Sequence, residues 1–274
     1  IQMRNEMTPI QPFLVLQAQG LKRLFIKNTG ISHFYEFKVG QGQNGQFQAV
    51  PDGSTDLVFS IGNTNVRIFI GGTVFQVKRW QFEKGRLHFG VCFHPGKQIL
   101  PGGLTIHEVV DADLELNPSE YGFLAEQIAE AQDITQRAKI FLEYYAAKLP
   151  DQKSFDTIGA IEQYVRGRIY ESHGNISIRE LGRETGYSEC YIRRCFQHIH
   201  GLSPKVFERF VRFQRMLQMI EIRTSHDSIE EIALGCGYYD QSHMMKDFKA
   251  FAGVTPEVYR RLVLEHLSGQ DYDR

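Results

Sequence analysis

The chain has 274 residues, 42% of them hydrophobic, and a formal net charge of −1. This length predicts about two domains, and the near-neutral charge excludes a protein that binds nucleic acid through bulk charge alone. No apolar run is long enough to cross a membrane. The four cysteines are scattered without a Cys-x-x-Cys pair, so we expect a reduced, cytoplasmic protein with no membrane partner.

Residues 1–116 are predicted to form a small β-domain. Short segments rich in β-branched and aromatic residues alternate with glycine-containing turns near 40–45, 51–53, 71–72 and 101–103. Many short strands at even spacing indicate a sandwich or a barrel. The predicted strands start at Leu21, Phe34, Phe47, Asp56, Val66, Val74 and Leu87.

Four residues of this domain could attract a metal: His88, Cys92, His94 and His107. The even spacing of the first three places them on one face of a strand. A zinc or iron site, however, needs three or four convergent ligands with supporting hydrogen bonds, and the domain has no His-x-His motif. We therefore expect partly buried polar side chains, with no metal, no cofactor and no catalytic residues.

A small-molecule pocket is a second hypothesis for the β-domain. Such pockets are mostly apolar, with a few polar groups that orient the ligand. The alternative is that the aromatic residues simply fill the core. The candidate effector-binding residues are Tyr35, Phe37, Arg67, Trp80, Phe93 and His94.

Residues 117–150 are predicted to be a helical connector. One apolar stripe contains Leu124, Ile128 and Ala131, and helical spacing predicts a second stripe after it. We expect these stripes to form a homodimer interface, because DNA sites favour two-fold assemblies. The alternative is that both pack on the β-domain. Residues 150–154 are the predicted linker, and the second stripe contains Ile134, Ala138, Leu142, Tyr145 and Leu149.

Residues 155–268 are predicted to form an all-helical domain that opens with a supporting helix around Val165. Ser177 and Glu180 have the spacing of a capping box, which predicts the start of a second helix. Gly186 ends that helix and Ser188 caps the next one. Two short helices joined through a glycine turn are typical of a helix-turn-helix motif.

A long helix is predicted between Pro204 and Arg223, with its apolar residues on one side. Some 20 residues span roughly 30 Å, which is close to one turn of DNA, about 34 Å. The helix would therefore act as a strut between two DNA-reading units. Arg209, Arg212 and Arg215 are expected on its polar face, where they contact the DNA backbone or pair with Glu208 and Glu221.

The helix-turn-helix pattern then repeats. Ile178, Leu181 and Gly186 recur as Ile229, Ile232 and Gly237, 51 positions later. Positions further on, such as Phe196 and Phe248, are 52 apart, so one residue is inserted near Tyr239. A duplicated motif in register indicates two copies of one structural unit.

The outward positions on the second helix of each motif are the predicted DNA-binding residues. Arginine can bond guanine through two hydrogen bonds and glutamine can pair with adenine, whereas Asp247 is expected to point away from phosphate. The alternative for any single residue is a solvated helix face. The predicted set is Ser188, Glu189, Cys190, Arg193, Arg194 and Gln197 in the first motif, and Gln241, Ser242, Met245, Lys246 and Lys249 in the second.

These motifs, with the segment Gly253-Val-Thr-Pro-Glu-Val-Tyr-Arg, resemble the DNA-binding domain of AraC/XylS-type transcription regulators. Residues 51–62 and 87–96 resemble, more weakly, the N-terminal cupin-like domain of a subset of that family. The resemblance implies an α+β two-domain fold: a small cupin-like β-barrel, a helical connector and an all-α double helix-turn-helix domain.

The leading functional prediction is a sequence-specific transcription regulator that binds double-stranded DNA in two successive major grooves. A small-molecule effector or a partner at the β-domain would control it, and RNA polymerase is a further expected partner. The alternatives are a cupin-type metal-dependent enzyme with an appended DNA-binding domain, and a protein-interaction module. Salt-dependent DNA binding would separate the regulator from the interaction module.

Overall fold

The computed structural model describes residues 7–18, 20–27, 30–42, 44–149, 157–222 and 227–270. Its first part is built from two antiparallel sheets. Strands β1, β2, β7, β4, β5 and β8 form a six-stranded sheet in that spatial order, and β3 pairs with β6. The strands are β1 (Lys22–Phe25), β2 (Ile31–Lys38), β3 (Gln46–Ala49), β4 (Thr55–Ile61), β5 (Val66–Gly71), β6 (Lys78–Gln81), β7 (Leu87–Phe93) and β8 (Asp113–Leu116).

The large sheet buries both of its faces, each in a different core. Alternate residues of its central strands, such as Phe34, Phe59 and Phe89, pack beneath α3 (Leu124–Glu130) and α4 (Ile134–Lys148). The intervening residues, such as Tyr35 and Val58, face the β3–β6 pair and α1 (Pro12–Gln17). Neighbouring side chains of a strand point to opposite faces, and this alternation produces the two separate cores.

The predicted α+β organisation is confirmed, with a β-rich first part, a helical connector and a helical second part. The large sheet remains open, because β1 and β8 lie at its two edges. The strand predicted from Val74 lies further along the chain, at Lys78–Gln81. Neither α1 nor β8 was predicted, and a short helix α2 (Ile106–Val109) and a 3₁₀ turn (Pro118–Tyr121) complete this part.

The apolar face of the connector lies on the sheet, which is the alternative to the predicted dimer interface. Phe141 and Tyr145 of α4 are 1% and 3% exposed, among the aromatic residues of the sheet. Arg137 is also buried there, and its Nη1 donates to Oε2 of Glu36 on β2 over 2.6 Å. Leu149, predicted in the same stripe, is 50% exposed, because α4 ends at Lys148 and Leu149 is the extended residue that follows it.

The second part is helical throughout its described residues. A central helix, α8, packs against helices of both helix-turn-helix motifs around one continuous core. The predicted linker and the first residues of the domain, 150–156, lie outside the described residues. The helices are α5 (Thr157–Glu171), α6 (Ile178–Thr185), α7 (Glu189–His200), α8 (Pro204–Ile222), α9 (Ile229–Gly235), α10 (Gln241–Ala252) and α11 (Pro256–Gln270).

The two parts of the chain share an interface at the middle of α8. Gln214 is fully buried; its Oε1 accepts a hydrogen bond from the Ile10 amide over 2.8 Å, and its Nε2 donates to the Pro51 carbonyl over 2.9 Å. Phe13 and Val50 of the first part belong to the helical core. The β-rich part is therefore docked onto the helical part through specific polar and apolar contacts.

Candidate nucleic-acid interface

The first helix-turn-helix motif consists of α6 and α7. Ser177 and Glu180 form the predicted capping box at the start of α6, with Ser177 Oγ accepting from the Glu180 amide over 3.2 Å. Gly186 ends α6 with a φ of 75°, a conformation that glycine adopts at little cost. Ser188 then caps α7. The tight turn orients the start of α7 away from the core.

The second motif, α9 and α10, is built in the same way. A second capping box joins Ser228 and Glu231 at the start of α9. As predicted, Asp240 caps α10, accepting from the Ser242 amide over 2.9 Å. Helix α9 ends two residues before Gly237, which leaves a longer turn than in the first motif. The extra length accommodates the inserted residue.

Most of the predicted DNA-binding residues are exposed on α7 and α10. Glu189 and Met245 are half-buried, and Met245 packs against the helical core, so its side chain is less available to a base. The exposed members of the set are Ser188, Cys190, Arg193, Arg194, Gln197, Gln241, Ser242, Lys246 and Lys249.

Two residues of this set form exposed contacts with other side chains of the same chain. Arg193 Nη2 is 2.9 Å from Glu189 Oε2, one turn earlier on α7. Gln241 Nε2 donates to Glu230 Oε1 of α9 over 3.0 Å. Exposed pairs of this kind contribute at most about 1 kcal/mol. They can open at low cost when a nucleic-acid group offers a better partner.

The arginines of α8 do not have the predicted partners. Arg209 pairs with the buried Asp247 of α10 over 2.7 Å, which confirms that Asp247 points away from the outer surface. Arg212 is 7% exposed and donates to the Gly174 carbonyl. Arg215 Nη1 lies 2.7 Å from His173 Nδ1. These arginines therefore join elements of the domain. Glu208 pairs with Lys205 instead, and Glu221 accepts a hydrogen bond from the Tyr259 hydroxyl; contact of the arginines with the DNA backbone stays a prediction.

The end of α7 is anchored by a buried polar cluster that sequence reasoning missed. His200 Nε2 lies 2.8 Å from Glu162 Oε1, and Arg166 Nε is 2.7 Å from the same oxygen. Burial lowers the pKa of His200. Burial alone would raise the pKa of Glu162, but the hydrogen bond from His200 and the charge of Arg166 lower it. The cluster fixes α7 against α5.

Two tyrosines beside the turns were also missed as interface candidates. Tyr239 is 89% exposed, directly before the cap of α10, and Tyr187 is 41% exposed before the cap of α7. By contrast Tyr238, the repeat equivalent of Tyr187, is 4% exposed. The inserted residue near Tyr239 was the available signal, because it shifts which tyrosine reaches the surface.

The predicted effector residues do not surround one pocket. Tyr35, Phe37 and Trp80 belong to the core beneath β3 and β6, whereas Phe93 lies on the opposite face of the sheet. Arg67 forms ion pairs with Glu115 and Glu83. His94 is half-buried just after β7. The prediction of a single pocket formed by all six is therefore corrected, since adjacent strand residues point to opposite faces.

The candidate metal ligands are also separated. His88 and Cys92 are on β7 and are more deeply buried than predicted, each 1% exposed. His88 Nε2 lies 3.0 Å from the Glu83 carbonyl oxygen. Exposed His107 lies on α2. Within the described residues no group of three His, Cys, Asp or Glu side chains could hold a metal ion. In the same residues no helix has the length and apolar character needed to cross a membrane.

Comparison with known proteins identifies the helical part. A family model described as a helix-turn-helix domain matches residues 181–262. The uncharacterized HTH-type transcriptional regulator YisR of Bacillus subtilis is 26% identical over 144 residues, which cover 51% of this chain and 49% of YisR. The HTH-type transcriptional activator AarP of Providencia stuartii is 27% identical over 86 residues, covering 31% of this chain and 62% of AarP.

Residues 181–262 form an AraC/XylS-type helix-turn-helix domain. The matched range begins within α6 and ends within α11, so it includes both motifs and α8. The chain spans about half the length of YisR. Among solved structures, ToxT from Vibrio cholerae is 12% identical with a TM-score of 0.40, over 89% of this chain and 96% of ToxT.

Proposed function

We propose that the protein is a sequence-specific DNA-binding transcription regulator. Helices α7 and α10 enter two successive major grooves of double-stranded DNA, and α8 holds them apart. The supporting observation is that both helices of the AraC-type domain leave their predicted reading residues largely exposed while their other faces are buried. Exposed arginine, lysine and glutamine on such a helix are the side chains that read base edges and hold phosphates.

The dimensions of α8 also support two-groove binding. It contains 19 residues and is therefore about 28 Å long, close to the repeat of about 34 Å between successive major grooves on one side of DNA. Buried Phe210, Phe213 and Leu217 fix it in the domain core. One chain thus offers two reading helices at a defined separation.

We propose that the β-rich part controls the DNA affinity of the regulator. A small molecule or partner bound there would change DNA affinity by binding one state of the protein better than another. We further propose a cytoplasmic homodimer that contacts RNA polymerase and has no catalytic activity. Sedimentation at several protein concentrations tests the dimer, whose contacts would have to avoid the α4 face already packed on the sheet.

The decisive experiment selects DNA sequences from a random pool and measures binding to the best site as salt rises. We expect affinity to fall steeply with salt, because bound phosphates release counterions. The double substitution Arg193→Ala and Arg194→Ala should weaken specific binding by about 1–3 kcal/mol per lost contact. Equal affinity for selected and scrambled sites, with no salt dependence, would refute the proposal.

A matched control removes two exposed lysines from the other part of the chain. Lys38→Ala with Lys139→Ala changes the net charge by the same amount, but both residues are exposed in the β-rich part and the connector. We expect this variant to bind the selected site as the wild type does. Equal losses from both double variants would mean that overall charge, rather than α7, determines binding.

A further inference from the structure

A cavity of about 460 Å³ lies between the large sheet and α4, and residues of neither helix-turn-helix motif line it. Its inner wall is apolar and buried, with Leu57 and Phe93 from the sheet and Phe141 from α4. Half-buried Ile99 and Leu100 close one side. This volume is within the range of small-molecule sites, about 300–1,000 Å³.

The charged residues that line the cavity, Lys148 and Glu120, are exposed. Lys148, the last residue of α4, is exposed, and its Nζ lies 5.7 Å from the centre of the Tyr144 ring. Tyr121 and Tyr144 also line the cavity. A tyrosine hydroxyl is protonated at neutral pH and can donate a hydrogen bond, and burial raises the pKa of both tyrosines further. The exposed carboxylate of Glu120 is the opposing charge at the rim.

We infer that this cavity binds a small monocarboxylic acid with an apolar body. The aromatic and aliphatic inner wall takes the body, and Lys148 takes the carboxylate. The donors Lys148, Tyr121 and Tyr144 outnumber the single carboxylate, Glu120, so the cavity favours a ligand with an anionic group. A charged donor strengthens a hydrogen bond to an anion. Of the residues predicted for effector binding, Phe93 contributes to this wall.

The cavity is connected to the first DNA-reading helix by one short segment. Ile99, Leu100, Pro101 and Gly102 line the cavity, and the residue just before them, Gln98, donates from Nε2 to the Ile199 carbonyl of α7 over 3.3 Å. Tyr145 of α4 holds the same segment by donating to the Lys97 carbonyl over 3.0 Å. An acid that displaces residues 99–102 would therefore shift the contact at the end of α7, a regulatory consequence that rests on the proposed DNA-binding function.

Calorimetric titration of the full chain tests the site with three probes of one shape: 3-phenylpropanoate, 3-phenylpropanamide and 3-phenylpropylamine. We expect the carboxylate to bind about tenfold or more tightly than the amide and the amine, as one charge-assisted hydrogen bond requires. Lys148→Met should remove the advantage of the carboxylate over the amide. Lys139→Met, which changes an exposed lysine earlier on α4, should retain it.

Several outcomes would overturn the inference. They are a preference for the amine, a carboxylate advantage that survives Lys148→Met, or no binding of any probe at millimolar concentration. Leu100→Trp, which places an indole at the half-buried wall, should abolish binding of acid and amide together while the melting temperature is retained; unchanged binding would place the ligand elsewhere.

DNA binding is measured separately on the same samples. A chain that binds its selected DNA site but no acid would refute the ligand site and leave the regulator proposal intact. A chain that binds the acid but no DNA would do the reverse. If both bind, the acid should change DNA affinity, and Gln98→Ala should reduce that change; an unaltered DNA affinity would refute the connection through residues 97–102.

Discussion

Asp247 shows how the orientation of a single side chain keeps a negative charge away from the candidate interface. It lies on α10, the second proposed reading helix, yet its side chain is 1% exposed and faces α8. Arg209 donates to it over 2.7 Å and also lies over the Phe251 ring, 5.0 Å from the ring centre. The negative charge that would repel phosphate is thus paired inside the domain, and Lys246 and Lys249 remain on the exposed side.

The first prediction concerns this pair. Asp247→Asn should lower the free energy of unfolding by about 1–3 kcal/mol, because it removes a charged hydrogen-bond acceptor from a buried site. Urea denaturation measures the change. The control is Glu265→Gln, which removes an exposed pair with Arg261 at 3.8 Å and should cost about 0.5 kcal/mol or less. Equal effects of the two substitutions would show that the pair does not stabilise α10.

His88 provides a prediction for pH dependence. It is buried in the sheet, and burial, with the charge of Arg86, lowers its pKa from 6.5 to about 4. Below pH 6.5 the unfolded chain therefore binds a proton that the folded chain excludes. Stability contributed by neutral His88 is complete above pH 6.5 and is lost progressively as the pH falls toward 4.

The measurement compares the wild type with His88→Gln in urea at pH 7 and pH 4.5. The wild type should lose on the order of 2–3 kcal/mol relative to the variant over this range. The comparison must be differential, because burial raises the pKa of Asp52 and Asp56, and these groups change stability in the opposite direction. A constant difference between the two proteins would mean that His88 is protonated in the folded state.

At the scale of elements, α8 shows that the spacing of apolar residues predicts a helix but does not predict which other segments pack against it. Its apolar spacing predicts both the helix and the buried Phe207, Phe210 and Phe213. It does not predict that Arg212 and Gln214, on the other side, are buried as well. Their burial comes from distant chain segments that cover α8, and such contacts leave no periodic signal along the helix.

The same distinction separates predicted from unpredicted parts of the sheet and the site. Strands with β-branched and aromatic residues on both faces, such as β4 and β7, are predicted from composition. In the edge strand β8 only one residue of four is buried. Such a short segment has too weak a hydrophobic pattern to be recognised as a strand from sequence. The exposed residues of α7 follow from helix periodicity, but the pairing of Arg209 with Asp247 bridges 38 positions, a separation that periodicity does not reveal.

At the scale of the whole molecule, the β-rich part contacts both proposed reading helices near their C-terminal ends. Gln98 donates to Ile199 of α7, and the Val77 amide donates to the Ala250 carbonyl of α10 over 3.1 Å. Gln214, between them on α8, joins Ile10 and Pro51. Because the β-rich part contacts α7, α8 and α10 at once, its packing on the AraC-type domain fixes the relative positions of α7 and α10.

The last prediction tests this docking through Gln214→Leu. The substitution keeps the approximate volume but leaves the buried groups of Ile10 and Pro51 without their partner, which should cost about 1–3 kcal/mol for each unsatisfied group. We expect a lower melting temperature and faster amide exchange at residues 7–18 and 50–54. Gln218→Leu, a half-buried glutamine one turn later, should leave both unchanged. If Gln214→Leu melts as the wild type does, the two parts are held together by the apolar contacts of Phe13 and Val50 rather than by this amide.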